Sequence, residues 1–336
     1  MTMISEIKDK ITTNDDILIV KNLKKYYPIS KMSLSKNKAY VKAVDDISFS
    51  IKRGTTMGLV GESGCGKTTV GRTILRLHEV TDGQVIFDGK DLGKVSSSEL
   101  RKMRPEMQMI FQDPYSSLSP RLPVGEIIGE AVKEHNIVPK AQYRSYILKV
   151  MRDCGLQPQY YYRYPHEFSG GQRQRISIAR AVALNPKFII CDEPLSALDV
   201  SIQAQIINLM KDLQEQYGYT YLFISHDLSV VEYISDTIGV MYLGSMMEMG
   251  DKKRIFANPM HPYTKALLSA VPVSDPDVKM NRIILKGDIP SPVNPPSGCK
   301  FRTRCPNAMP ICAKDTPVLK EYEEGHMVAC HLYSQK

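Results

Sequence analysis

The stretch Gly61-Glu62-Ser63-Gly64-Cys65-Gly66-Lys67-Thr68 constrains this chain more than any other. It fits G-x-x-x-x-G-K-[ST] in full, a loop pattern that needs a strand before it and a helix after it. Both are written in the sequence. TMGLVG at 56–61 reads as a short buried strand, and a helical stretch runs from about Lys67 to Leu77. Gly61, Gly64 and Gly66 let backbone N–H groups turn inward where side chains would block a phosphate. The helix N-terminus adds partial positive charge. Lys67 offers a full charge to β- and γ-phosphates, and Thr68 a hydroxyl to Mg²⁺. Ser63, Cys65 and Thr69 complete the set of candidate phosphate-contacting residues.

A loop of this kind works with an acidic group at the end of another strand. FIICD at 188–192 has that form, an apolar run ending in Asp192. Glu193 follows, placed to polarise an attacking water. Further strands are expected at 17–23, 41–51, 84–89, 107–111 and 220–225. From about 113 to 183 the pattern is helical, with Val124, Ile127, Ile128, Ala131 and Val132 on one face and Tyr143, Ile147, Val150, Met151 and Cys154 on another. Helices follow at 201–217 and 227–234. Strands alternating with helices predict an α/β fold with a mostly parallel sheet. No solenoid or propeller repeat is present.

Composition narrows the function classes. Of 336 residues, 43% are apolar and 24% charged, which excludes wholesale disorder, collagen and coiled coil. No uncharged apolar run approaches 18 residues, and the N-terminus carries no apolar signal region, so the reading is a cytoplasmic chain without its own membrane span. The net charge of +8 is mild, no run of five Lys/Arg occurs and Trp is absent, so nucleic acid is not an expected partner.

A second phosphate-ready helix start stands at FSGGQRQR, 168–175. Ser169 is an N-cap type, and Gly170 and Gly171 bare the backbone N–H groups, with Gln172 next. One active site does not need two such termini on one chain; two chains facing head-to-tail do. This stretch resembles the signature of ABC ATPases, with Phe168 in place of the usual Leu. The resemblance implies a P-loop NTPase fold with a RecA-like core, an antiparallel β subdomain and a helical subdomain at about 113–168. It assigns Gln112 in FQDP to the Q-loop, where it senses the γ-phosphate and joins Thr68 and Asp192 around Mg²⁺. Asp199 in SALD falls in the D-loop, and His226 in FISHD matches the switch histidine. Tyr26 in LKKYY matches the aromatic that stacks on adenine, with Tyr40, beyond a polar insertion at 28–40, as competitor.

MIFQDPYSSLSPR at 109–121, HEFSGGQRQRISIARA at 166–181, CDEPLSALDVSIQAQI at 191–206 and NPMHPYTKALLSAVP at 258–272 are similar to the oligopeptide/dipeptide importer ATPases, F-type. That family implies ATP hydrolysis coupled to transport. It also implies a paralogous D-type ATPase subunit as dimer partner, two membrane permease subunits, an extracytoplasmic solute-binding protein and a place at the cytoplasmic face of the membrane. Nickel or glutathione are alternative solutes. A soluble ABC ATPase acting on nucleic acid is the contrasting reading; a single nucleotide-binding module and C-terminal cysteines speak against it. The domain reading is 1–271 for the nucleotide-binding domain and 272–336 for a small C-terminal extension, entered through a Pro-dense linker that includes Pro272 and Pro276.

Of seven cysteines, Cys299, Cys305, Cys312 and Cys330 crowd the extension, spaced x5, x6 and x17. By spacing alone, four thiolates suit Zn²⁺ or an iron–sulfur cluster. The importer family carries SGCxFxxRCPxA here, and the resemblance implies a [4Fe-4S] cluster. The extension is Pro-rich and poor in long apolar patterns, so it is expected to bury little surface unless a metal ties its loops together.

Overall fold

A computed structural model describes residues 15–29, 39–271 and 282–333. The first fourteen residues, most of the 28–40 insertion and the linker prolines Pro272 and Pro276, with the expected boundary there, lie outside the described residues. The chain divides into two compact units, one of Met1–Ser50, Met57–Gly93 and Ser225–Lys336, the other of Ile51–Thr56 and Lys94–Ile224.

The first unit holds a four-stranded sheet in the order Tyr40–Lys52, Asp16–Pro28, Asp82–Phe87, Lys90–Asp91. Asp16–Pro28 and Asp82–Phe87 run antiparallel, with Leu18 opposite Phe87 and Val20 opposite Val85. Alternation sets the buried face, where Ile47, Phe49 and Ile51 point one way into the core. The same unit holds the strands Lys320–Glu323, His326–Val328, Ser245–Asp251, Thr237–Tyr242 and Thr56–Val60, in that spatial order. The first three pairings are antiparallel. The last is parallel, with Leu59 opposite Gly239.

The sequence pattern shows no strand between 237 and 251, and the structure has two. Thr237–Tyr242 is buried at every residue but the first, so alternation cannot betray it. A two-residue turn at Leu243 and Gly244, both at positive φ, returns the chain. The helix after the phosphate loop is Lys67–Ile74, ending short of Leu77 because Arg76 takes a left-handed conformation, φ 51°.

The second unit pairs Met107–Ile110, Phe188–Asp192 and Thr220–Ile224 in parallel. The last two are buried throughout, which is why they read as continuous apolar runs. The helices Val124–Glu134, Tyr143–Asp153, Gly170–Val182 and Val200–Tyr217 carry the predicted faces: Val124, Ile127, Ile128 and Val132 are buried on the first, and Ile147, Val150 and Met151 on the second. Val200–Tyr217 opens on an Asp199 cap and stops at Gly218, φ 71°.

Candidate functional site

In the first unit the phosphate loop is formed around its lysine. Lys67 is buried, and its Nζ donates to the carbonyls of Gly61 at 2.7 Å and Glu62 at 3.1 Å. Gly66 sits at φ 106°, where a Cβ would lie 2.1 Å from the Ala43 carbonyl oxygen; no other residue fits. It also leaves the helix Lys67–Ile74 without a side-chain cap. Gly66 thus brings no capping side chain to the helix start, which suits an anion there. Ser63 and Gly64 are exposed, and Thr68 and Thr69 half-buried. Cys65 is buried, and burial pushes its thiol up against the pull of Lys67.

Tyr26 lies in the strand Asp16–Pro28 and donates its hydroxyl to Asp45. Burial, then that bond, holds the phenol protonated, and the Lys42 ammonium stands 5.7 Å from the ring centroid. Tyr40 is more exposed. His226 is exposed, one residue before Asp227, which caps the helix Leu228–Ile234.

In the second unit, Asp192 is buried at the end of its strand. Glu193 turns the chain at φ 45° and donates its N–H to the Ile224 carbonyl at 3.0 Å. Its carboxylate accepts from Gln112 Nε2 at 2.9 Å. Two of the sequence candidates, 81 residues apart, thus meet directly. The magnesium candidates Thr68, Gln112 and Asp192 include one carboxylate. Thr68 stands in the first unit, and Gln112 and Asp192 in the second.

The signature helix Gly170–Val182 is closed by a reciprocal box. Gln172 N–H donates to Ser169 Oγ at 3.4 Å, and Ser169 N–H to Gln172 Oε1 at 3.1 Å. Gly171 is needed for a second reason, since a Cβ there would lie 2.5 Å from Ile202 Cγ2. That contact sets the signature beside the helix that Asp199 caps. Phe168, where Leu is usual, is buried and meets Tyr160 edge-on at 5.2 Å.

The cysteine expectation is corrected. Among the described residues, no group of three or more His, Cys, Asp or Glu side chains is arranged to hold a metal ion. Neither the [4Fe-4S] cluster nor the zinc alternative stands for Cys299, Cys305, Cys312 and Cys330, which are free thiols. Burial raises the thiols of Cys299, Cys305 and Cys330, the last to about 11. The segment also buries surface without a metal: Phe301, Val328 and Ala329 are in the core. Phe301 packs on Tyr242 and Tyr263, each at 5.3 Å.

Sequence reasoning gave no role to Glu62, Asp45, Lys300 or Arg304. The structure joins Glu62 to Arg304 and Asp45 to Lys300. No local pattern signals pairs so distant in the chain.

Comparison with known proteins covers most of the chain. Residues 44–196 match the ABC transporter family, and residues 247–312 the oligopeptide/dipeptide transporter C-terminal region. The oligopeptide transport ATP-binding protein AppF of Bacillus subtilis is 55% identical, over 95% of this chain and 98% of its own. A putative peptide import ATP-binding protein of Brucella ovis is 54% identical, with the same two shares. Among solved structures, cbiO1 of Clostridium perfringens, part of the ABC transporter complex cbiONQ, has a TM-score of 0.63 at 27% identity, covering 73% of this chain and 92% of that one.

Proposed function

The chain belongs to the ATP-binding subunits of oligopeptide/dipeptide ABC importers, and from that membership we propose that it hydrolyses MgATP to power peptide uptake through separate permease subunits. The observation that carries this reading is the formed phosphate loop, with the Lys67 ammonium turned inward onto the Gly61 and Glu62 carbonyls. A triphosphate exchanges those two carbonyls for its own oxygens and meets the positive end of the helix. Thr68 offers its hydroxyl, and Asp192 its carboxylate, to the magnesium of MgATP, which neutralises charge on the transferring phosphoryl group.

Glu193 orients the attacking water. Gln112 bonds to Glu193, so reorientation of its amide reports the arrival of a γ-phosphate. His226 steadies the phosphate from its exposed position, and Tyr26 takes the adenine. Ser169, Gly170, Gly171 and Gln172, with Asp199 nearby, present a helix start to the nucleotide of a partner chain, which makes the working unit a dimer. The partner is a D-type paralogue, and a solute-binding protein delivers the peptide. Among the described residues no helix is long and apolar enough to cross a membrane. The subunit works peripherally at the cytoplasmic face, docked on the permeases by its helical region. The nucleotide-binding domain covers 1–271 and the extension 272–336.

Two variants test this. Lys67→Ala removes the charge on the phosphates and weakens ATP binding by about a hundredfold or more, read by equilibrium binding to the full chain. Ser169→Arg blocks hydrolysis at the site whose phosphate loop belongs to the other subunit, read by mixing one mutated with one intact partner. Unchanged binding by Lys67→Ala removes the phosphate loop from the reading, and full activity from a monomer removes the dimer.

A further inference from the structure

Glu62 occupies the second position of the phosphate loop, and every polar group of it is engaged. Its N–H donates to the Tyr263 hydroxyl at 2.9 Å. Its carbonyl accepts the Lys67 ammonium at 3.1 Å and the Cys65 N–H at 3.2 Å. Its carboxylate takes a two-pronged bond from Arg304, 2.6 Å from Nη1 and 2.9 Å from Nη2. The residue that seats the lysine is therefore itself held from the cysteine segment. We propose that this segment braces the phosphate loop, with Arg304 acting through Glu62 as a positioning residue for ATP binding.

The anchor is rigid enough for that task. Arg304 has a side chain only 9% exposed, against 24% for Glu62, and its guanidinium lies 5.8 Å from the Tyr242 ring centroid. Tyr242, Tyr263 and Phe301 form one buried aromatic cluster, with His261 against Phe301. Tyr263, which grips the Glu62 N–H, is thus packed against the segment that carries Arg304. A planar fork on a carboxylate fixes direction as well as distance, which a lysine cannot do.

A second contact works from the other end of the same turn. Lys300 Nζ donates to Asp45 at 2.8 Å, to Ser245 Oγ at 2.7 Å and to the Leu243 carbonyl at 3.0 Å. Asp45 in turn accepts the Tyr26 hydroxyl. Burial alone would raise the Asp45 carboxyl, but Lys300 and Tyr26 outweigh it and keep it charged. Lys300 and Arg304, on either side of Phe301, thereby reach the phosphate loop and the adenine candidate from one short stretch.

The brace rests on the nucleotide-site reading above, and the test separates the two. The full chain and the assembled complex carry Arg304→Gln, Glu62→Gln, both together, or Arg304→Lys. ATP affinity, KM and kcat are measured beside the melting temperature. The brace predicts a KM for ATP raised about tenfold in either single variant, with kcat changed less than about twofold. The double variant should be no worse than the singles, since one contact is lost in all three, and Arg304→Lys should recover part of the affinity. Should Arg304→Gln not fold, Glu62→Gln reads the same contact from the more exposed side. Wild-type KM in a folded Arg304→Gln chain, or effects that multiply in the double variant, overturns the brace. Lys67→Ala is the reference: if it abolishes ATP binding while Arg304→Gln is silent, only the brace fails. If Lys67→Ala still binds ATP, the nucleotide-site reading fails as well.

Discussion

Much of the phosphate loop's shape comes from residues within it, with Arg304 and Tyr263 bracing Glu62 from outside. Lys67 bonds to a carbonyl six residues away, and Gly66 turns the chain at φ 106°. The cysteine segment is held by side chains that reach across the chain. Lys300 finds Asp45 at a separation of 255 residues, and Arg304 finds Glu62 at 242. Phe301 inserts between them into an aromatic cluster. A chemistry whose atoms are neighbours in sequence can be read as a motif. A tether whose ends lie hundreds of residues apart cannot, however strong it is.

The largest test of that contrast is Phe301→Ala. Emptying a fully buried aromatic site costs about 3–5 kcal/mol, read as a shift in the denaturation midpoint of the full chain. A loss below about 1 kcal/mol would mean that packing is not what holds the segment.

A smaller, pH-dependent effect comes from His261, where the two regions meet. It is 1% exposed, and its Nδ1 accepts the Tyr263 N–H at 3.0 Å, capping the helix Pro262–Ser269. Burial holds its pKa down to about 4, against the ordinary 6.5, with Glu248 opposing. Between those values the unfolded chain binds the proton and the folded chain does not. This stability is fully present above about pH 6.5 and is lost as pH falls toward 4, roughly 2 kcal/mol of it by about pH 5. His261→Asn keeps a cap acceptor that does not titrate, and should flatten the pH profile over that window. An unchanged slope would assign the acid sensitivity elsewhere.

What was legible follows the same divide. The strand before the phosphate loop, the apolar run ending in Asp192 and the helix cap at Ser169 are all visible, because each is local. The bond between Gln112 and Glu193 was not, although both residues were singled out, since it depends on the parallel pairing of Met107–Ile110 with Phe188–Asp192. The strands at 237–251 escaped because burial on both faces erases alternation. The four cysteines misled most. Their clustering suggested a metal cage, whereas the ordering comes from the three residues Lys300, Phe301 and Arg304, which no periodicity marks.

The central claim is that this chain is an ATPase in which Glu193 orients the attacking water. Glu193→Gln keeps the side-chain shape and removes the carboxylate. Steady-state ATP turnover of the assembled complex carrying it, measured beside ATP affinity, is the direct test. The account predicts unchanged affinity and turnover slowed by about a hundredfold or more. Normal turnover with normal affinity would contradict it.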